Sequence, residues 1–184
     1  SKITGYMNSI LSQSSGTAII PAHNVPPADK KAIDALTARG VLVVPVGSAT
    51  NFLSVNFINA RSTVDQDLEL LLLIKDQLLW LNLGRTKITD EGLKTIGQLT
   101  SLMSLNLEYT EIGDKGLESL LSLKELTSLN LVGTKSGDDG LAQLAQLPKL
   151  KKMFLYQTNV TALGVSEAVA RLPDLRVDTG HYQL

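Results

Sequence analysis

The apolar positions of this chain recur with a period of 24 residues from position 81 onwards. Leucine or methionine fills two alternating positions in four successive copies: Leu81 and Leu83, Leu105 and Leu107, Leu129 and Leu131, Met153 and Leu155. Alternation with period two predicts a short strand whose two apolar side chains point to the same side. The residue between them then points to the opposite side of the sheet.

A second apolar pattern follows each strand motif. In the first copy a glycine, Gly92, precedes four apolar residues at steps of three, namely Leu93, Ile96, Leu99 and Leu102. This spacing predicts a short helix that tightens into a 3₁₀ turn and directs its apolar side towards the strand. A degenerate copy, with Val55 and Phe57 at the paired positions, precedes the array.

The full unit reads L-x-x-L-x-L-x-x-T-x-I-x-D-x-G-L-x-x-L-x-x-L, which is the leucine-rich repeat pattern with Thr where Asn usually stands. One unit cannot bury its leucines alone, whereas stacked units share a continuous core and contact only their neighbours. We therefore predict an α/β leucine-rich repeat solenoid with parallel strands on the concave face and short helices on the convex face. A half-copy, "LPDLRVDTG", closes the array after a one-residue slip near Val169.

The segment before the array predicts a cap. Proline precedes "ADKKAIDALTAR" and Gly40 follows it, which favours a helix over residues 28–39. "VLVVPV" predicts a buried strand, and further upstream "TAII" favours another strand and "YMNSILSQ" a short helix. We predict that residues 1–50 form an N-terminal α/β cap of the same domain. Residues 51–184 then form the repeat array with a C-terminal closing strand, and "VDTGHYQL" supplies that edge strand and a tail.

Two further repeat positions are polar. Asp90, Asp114 and Asp138 lie at predicted helix starts, where a carboxylate caps free N–H groups and favours the positive end of the helix dipole. A calcium ladder is the alternative, although one Asp per turn lacks the dense oxygen ligands of such a site. The repeated threonines are predicted to bond loop backbone along the stack: Thr86, Thr110, Thr134 and Thr158.

Composition excludes several classes of function. The chain has 184 residues with a formal net charge of -1 and mixed signs, so nothing favours binding to nucleic acid or direct contact with an anionic membrane. The one basic cluster, Lys149, Lys151 and Lys152, is interpreted as a solvated corner. The chain contains no cysteine, which excludes thiolate nucleophiles and Cys-based metal sites.

No catalytic constellation is visible. The chain has two histidines, near its opposite ends. His23 is interpreted as ordering its loop through a hydrogen bond, with metal binding as the alternative, and His181 as part of the tail. G-x-S-x-G, P-loop and H-E-x-x-H motifs are absent. We predict no catalytic residue and no metal site.

The 24-residue unit resembles the bacterial leucine-rich repeats whose helices start with "TDxGL". The stretch "PAHNVPPADKKAIDALTARGVLVVPV", followed by "NFLSVNFINARS" and ending in "VDTG", resembles the C-terminal region of membrane-anchored c-type cytochrome proteins of Bacteroidetes. In that family a transmembrane block and a haem-binding segment precede a leucine-rich repeat tail. The resemblance implies a fragment of a larger periplasmic or cell-envelope protein. Because this chain has no C-x-x-C-H, no cofactor is expected in the fragment itself.

Residues 24 apart become lateral neighbours about 4.8 Å apart on the predicted concave sheet. One column is Asn56, Asn82, Asn106, Asn130 and Phe154. The flanking columns are Trp80, Ser104, Ser128 and Lys152 on one side, and Gly84, Glu108, Val132 and Tyr156 on the other. Exposed aromatics beside amides are typical anchors of binding surfaces. We predict these partner-binding residues: Trp80, Asn82, Asn106, Glu108, Asn130, Phe154 and Tyr156. In the alternative, the asparagines bond one another along the ladder and Trp80 shields the first coil.

Three hypotheses about function follow. The favoured one is a non-catalytic recognition module that binds a protein or polymer on its concave sheet. The second is a structural element that positions or covers an attached haem or electron-transfer domain, and the third is an enzyme. The concave face discriminates between the first two, because a binder presents exposed aromatic and polar side chains there. A spacer is uniformly small and charged.

Overall fold

The computed structural model describes residues 20–23 and 25–180. In this part of the chain seven strands form one sheet, and their order in the sheet is their order along the chain. They are β1 (Leu42–Pro45), β2 (Leu53–Asn56), β3 (Leu78–Asn82), β4 (Ser104–Asn106), β5 (Ser128–Asn130), β6 (Lys152–Phe154) and β7 (Arg176–Asp178). β1 pairs antiparallel with β2, and every later pair is parallel.

In the described ranges one α-helix precedes β1, and the other helices lie in the connections between the parallel strands. The α-helices are α1 (Lys30–Ala38), α2 (Asp90–Ile96), α3 (Asp114–Leu117), α4 (Asp138–Leu144) and α5 (Ala162–Arg171). Two 3₁₀ helices, Asp65–Ile74 and Glu118–Ser122, lie before β3 and after α3. One strand and the helix that follows it form a coil, and the helices of successive coils contact one another. This arrangement confirms the predicted solenoid, and we call the open side of its sheet the concave face.

The strands pair in the predicted 24-residue register. One row of lateral neighbours consists of Leu81, Leu105, Leu129, Met153 and Val177. The first four of these side chains are buried. The predicted slip near Val169 does not reach the sheet. Leu175 lies 25 residues after Leu150, but Arg176 pairs with Lys152, 24 residues earlier, because one residue fewer separates Leu175 from β7.

One continuous core connects the described part of the predicted cap to the array. It runs from Ala32 in α1 to Leu175 before β7. Loop bonds join the same two regions, since Gln77 donates its side-chain amide to Pro26 O at 3.0 Å and Asn51 donates to Val25 O at 2.8 Å. The division at residue 50 stays a prediction, and residues 1–19 and 24 of the predicted cap lie outside the described ranges.

The cap differs from the prediction in one respect. Its helix lies within the predicted 28–39 range and begins after Asp29, whose side chain accepts a hydrogen bond from Lys31 N at 2.8 Å. The following strand is only half-buried, however, and Pro45 is exposed. The reason is position, because β1 is an edge strand of the sheet, where proline needs no ladder partner. The predicted helix "YMNSILSQ", most of "TAII" and His181 fall outside the described residues.

The repeated aspartates lie at helix starts as predicted, and the N–H groups that they bind belong to the next coil. Asp90 Oδ1 accepts from Gly113 N at 2.7 Å, and Asp114 Oδ1 accepts from Gly137 N at 2.6 Å. Each carboxylate lies in the first turn of its helix and is directed towards that helix's N-terminus, beside which the next coil's helix begins. One oxygen of Asp90 and one of Asp114 are therefore engaged by protein donors.

Asp138 makes this contact to the next coil through two hydrogen bonds. It accepts the hydroxyl of Thr161 at 2.7 Å and the backbone N–H of Thr161 at 2.8 Å. Both bonds lower the pKa of Asp138 from its ordinary value of 3.8, and the bond from the Thr161 hydroxyl has the larger effect. No group of three or more His, Cys, Asp or Glu side chains comes together within the described residues.

The glycine of the D-x-G motif makes room for these aspartates. A Cβ atom at Gly116 would lie 2.5 Å from Asp90 Oδ1 and 2.8 Å from Asp90 Cα, closer than real Cβ atoms approach. The equivalent glycines face the preceding aspartates in the same way: Gly92, Gly140 and Gly164. The Asp–Gly spacing within one unit thus encodes a contact between two units.

The buried threonines bond loop backbone, but within their own coil instead of along the stack. Thr86 Oγ1 donates to Leu83 O at 2.6 Å, and Thr110 Oγ1 donates to Leu107 O at 2.6 Å. Thr134 and Thr158 repeat the bond to the carbonyl three residues earlier. A short side chain reaches the turn that leaves its own strand more readily than the neighbouring coil.

Candidate recognition surface

All seven predicted partner-binding residues lie on the concave face or at the ends of its strands. The pairing places Trp80 beside Ser104 and Asn82 beside Asn106, with their buried neighbours directed into the core. Six of the seven side chains are partly exposed: Trp80, Asn82, Asn106, Glu108, Asn130 and Phe154. Tyr156 is the most open, with 47% of its surface exposed. The structure therefore brings the predicted set together on one surface.

The asparagines hold the ends of the strands. Each Oδ1 atom accepts a hydrogen bond from the backbone N–H two residues later, as from Gly84 to Asn82 at 2.9 Å and from Glu108 to Asn106 at 2.8 Å. Asn56 and Asn130 repeat this turn. The alternative in which asparagines bond one another along the ladder is wrong. The chain turns away from the sheet here, so a free backbone N–H needs a local acceptor.

This turn determines what the asparagine column can offer a partner. The Oδ1 atoms are engaged, so the amide N–H groups are the available hydrogen-bonding atoms. One of these already has a neighbour, because Asn130 Nδ2 lies 3.4 Å from Glu108 Oε2. The column therefore presents donors more than acceptors.

Phe154 interrupts the asparagine column and opens an apolar depression. The depression has a volume of about 400 Å³ and is lined by Val132, Phe154, Tyr156, Asp178 and Gly180. Tyr156 lies against Gly180, where a Cβ atom would collide with the tyrosine ring. Asp178 restores the polar turn one strand later, since its Oδ1 accepts from Gly180 N at 2.8 Å. The C-terminal end of the concave face thus differs from the rest.

A second group of residues, absent from the predicted site, borders this face. Three turns after the strands have a non-glycine residue in the left-handed region, with φ of 63° at Arg85, 50° at Tyr109 and 56° at Gln157. Gly133 occupies the equivalent turn with φ of 68°. We call these four residues the rim. Left-handed backbone is unfavourable for side chains other than glycine and is often found at functional sites.

The rim side chains are joined across the coils. The guanidinium of Arg85 lies 4.3 Å from the centre of the Tyr109 ring, and its Nε lies 3.4 Å from Glu108 Oε1. The Tyr109 hydroxyl donates to Gln157 Oε1 at 2.8 Å, and its ring crosses Gly133, where a Cβ atom would collide with it. These contacts hold an exposed aromatic ring in place before any partner arrives.

One sequence signal was available for the rim. The position three residues after each strand asparagine varies in chemistry between units, as Arg85, Tyr109 and Gly133 show, whereas the leucines, threonines and D-x-G glycines are constant. The predicted site did not include these residues. The left-handed backbone that makes three of them unusual cannot be read from residue type when the residue is not glycine.

The predicted basic corner divides into two parts. Lys149 forms an ion pair with Glu125 at 2.7 Å and belongs to the surface. Lys152 instead lies on the concave face, directly beside Arg176 of the next strand. His23 does not serve as a metal ligand in any cluster of the described residues. Its ring contacts Phe52 edge-on, with 5.5 Å between ring centroids.

The geometry agrees with comparisons to known proteins. Residues 78–97 and 98–121 match the family model described as Leucine Rich repeat. The chain is similar to the structure of leiomodin-1 actin-binding site 2, with a TM-score of 0.54 and 17% identity over 82% of this chain and 92% of that one. It is also similar to an internalin from Listeria monocytogenes, with a TM-score of 0.43 and 21% identity over 62% of this chain and 38% of that one. No curated protein sequence matches significantly.

The chain has the leucine-rich-repeat fold. The two matched windows begin at β3 and include α2 and α3, and the leiomodin-1 likeness extends the same fold over most of the chain. No helix in the described ranges is long and apolar enough to cross a membrane.

Proposed function

We propose that this chain is a non-catalytic recognition module that binds a protein partner on its concave face. The observation that carries the proposal is the set of accessible aromatic side chains on and beside that face. Tyr156 is 47% exposed and Tyr109 is 40% exposed, while Trp80 and Phe154 are partly exposed. Aromatic residues are enriched at the energetic centres of protein interfaces.

The fold itself does not require these aromatics. Ser104 and Ser128 occupy the position of Trp80 in the next two strands, and Asn130 occupies the position of Phe154. Exposed aromatic side chains at positions where small polar residues suffice favour binding over a purely structural role. The Trp80 position at the start of the array is also compatible with shielding of the first coil, and the experiment below separates the two roles.

The similar leiomodin-1 structure is described as an actin-binding site. This supports a protein as the class of partner for the fold. At 17% identity it does not indicate actin for this chain. The predicted residues stay our proposal for the contact surface: Trp80, Asn82, Asn106, Glu108, Asn130, Phe154 and Tyr156.

Peptide selection tests the proposal even though the partner is unidentified. The immobilised chain is used to select binders from a library of random displayed peptides, and their affinities are measured by fluorescence anisotropy. Trp80→Ala and Tyr156→Ala should each weaken binding by roughly tenfold or more, as expected for interface anchors. Leu163→Ala is the matched control, because Leu163 is a large apolar residue of α5 that is 67% exposed. Peptides that lose affinity only with the Leu163 change would refute the concave site.

The setting that we propose is the periplasm or cell envelope, within a larger protein that carries a membrane anchor and a haem domain. The resemblance to membrane-anchored c-type cytochrome proteins supports this part of the proposal. The sequence encoded upstream of Ser1 tests it, since C-x-x-C-H and transmembrane segments are expected there. A role in covering such a haem domain is the competing function, and it predicts that the isolated chain selects no peptides.

A further inference from the structure

Two cationic side chains lie side by side at the C-terminal end of the concave face. Lys152 of β6 and Arg176 of β7 are direct partners in the strand register. Lys152 precedes the buried Met153 in its strand, and Arg176 precedes the half-buried Val177 in the next. Because neighbouring side chains of a strand point to opposite faces, both cations lie on the open side of the sheet. Among the described residues neither is in an ion pair or side-chain hydrogen bond, unlike Lys149, Arg85 and the other paired cations.

Such a pair is unfavourable for the fold alone. Like charges directly opposite on adjacent strands destabilise a sheet. The same column contains Ser104 and Ser128 in the two preceding strands, so a small neutral residue satisfies the architecture. The exposed Lys151 adds a third positive charge next to Lys152. An anionic group bound over Lys152 and Arg176 would relieve this repulsion.

The apolar depression lies on the same strands, at their other end. Its walls include Phe154 and Tyr156, two and four residues after Lys152. Phe154 lies two residues of extended chain, about 7 Å, beyond Lys152, and Tyr156 lies in the turn that follows β6. Asp178 lies at the depression and disfavours an acidic group there, so charge and apolar surface are separated along the strand direction.

We propose that the partner presents an extended protein segment with an acidic side chain over Lys152 and Arg176. A large apolar side chain, roughly two to four residues away, occupies the depression between Val132, Phe154 and Tyr156. This inference rests on the proposed function and adds the chemistry of the partner. Asp178 and Glu108 on the same surface disfavour a uniformly anionic polymer.

Selections on matched chains test the charge assignment. Wild type is compared with Lys152→Glu/Arg176→Glu and with Lys115→Glu/Lys124→Glu, which makes the same charge change at two exposed lysines away from the sheet. Wild type and the control should enrich peptides with Asp or Glu roughly two to four residues from an aromatic or leucine residue. The concave double variant should enrich Lys or Arg at that position and retain the apolar residue.

A representative wild-type peptide then provides the quantitative measurement. Its affinity should fall by roughly tenfold or more in Lys152→Glu/Arg176→Glu and by less than about twofold in the control. If the charge-reversed variant does not fold, the neutral variant Lys152→Gln/Arg176→Gln replaces it. This variant should no longer select acidic peptides. Circular dichroism verifies that each variant is folded.

The outcomes separate this inference from the proposed function. If Lys152→Glu/Arg176→Glu enriches peptides with the same charge pattern as wild type and the Lys115→Glu/Lys124→Glu control, the inference is wrong and the recognition function stands. If no chain enriches any peptide, both are wrong. Acidic peptides whose affinity is unchanged by Phe154→Ala and Tyr156→Ala would also overturn the inference, because binding would then depend on charge alone.

Discussion

The two turns of each coil differ in how strictly they repeat. The turn that enters the helix keeps the D-x-G motif in three successive units, with Asp90 and Asp114 bonded to Gly113 and Gly137 of the next coil. The turn that leaves the strand varies, and it contains the rim residues Arg85, Tyr109, Gly133 and Gln157. Both turns join neighbouring coils. In the first, an aspartate accepts a backbone N–H of the next coil at each step, whereas the side chains of the second make a different contact at each step.

This difference indicates which positions serve the fold. A contact that every coil must make can be made by the same residue each time, so the aspartates, glycines and threonines repeat. The rim and the concave columns need only remain compatible with the stack. Their variation, together with left-handed backbone at Arg85, Tyr109 and Gln157, favours selection for a partner.

The largest expected effect is in the shared core. Leu105 is 1% exposed, and Leu105→Ala should lower the free energy of unfolding by about 2–5 kcal/mol because a cavity forms between stacked coils. Urea denaturation measures the change. Leu163→Ala on the surface should alter it by less than about 0.5 kcal/mol, and equal effects would contradict the described burial.

The two turns themselves can be compared with glycine substitutions. Gly116→Ala should lower the free energy of unfolding by about 1–3 kcal/mol, because its Cβ collides with the backbone and carboxylate of Asp90. Gly84→Ala on the concave side is the control, since its Cβ meets chiefly the Glu108 side chain at 2.7 Å, which can rotate away. Thermal unfolding of the two variants should rank them in this order, and the reverse ranking would refute the comparison.

Much of the fold was predictable because the leucine spacing determines strand, helix and register together. The partners of polar side chains were less predictable. Asp90 bonds a residue 23 positions away, and Asn82 bonds a backbone N–H two positions away, although the residue type alone does not distinguish a distant partner from a local one. The shape of the site depends on such contacts. Phe154 was predicted as exposed, but the depression beside it requires knowing that Tyr156 lies over Gly180.

A substitution in the rim should separate stability from binding. Gln157→Gly relieves left-handed strain of about 1–3 kcal/mol and loses the Tyr109 hydrogen bond, worth about 0.5–1.5 kcal/mol. We expect the unfolding free energy to remain equal or to rise slightly, while affinity for a selected peptide falls several-fold because Tyr109 is no longer held. Unchanged affinity in anisotropy titrations would show that the rim is a structural feature.

The smallest expected effect concerns the acid stability of the turn that enters α5, where Asp138 contacts Thr161. Because Thr161 lowers the pKa of Asp138 in the folded chain, the contribution of this carboxylate is present above pH 3.8 and is lost as the pH falls through the lowered folded pKa. In Asp138→Asn the unfolding free energy should therefore decline less steeply below pH 3.8 than in wild type. Parallel declines in the two proteins would contradict this assignment.

The most direct test of the concave recognition surface is an NMR titration of the labelled chain with a selected peptide. The account predicts that chemical-shift changes concentrate at the Trp80 indole, at β3 to β6 and at the rim turns, with α2 to α5 unaffected. Shift changes confined to the helices, with the Trp80 indole and Tyr156 amide unmoved, would contradict it.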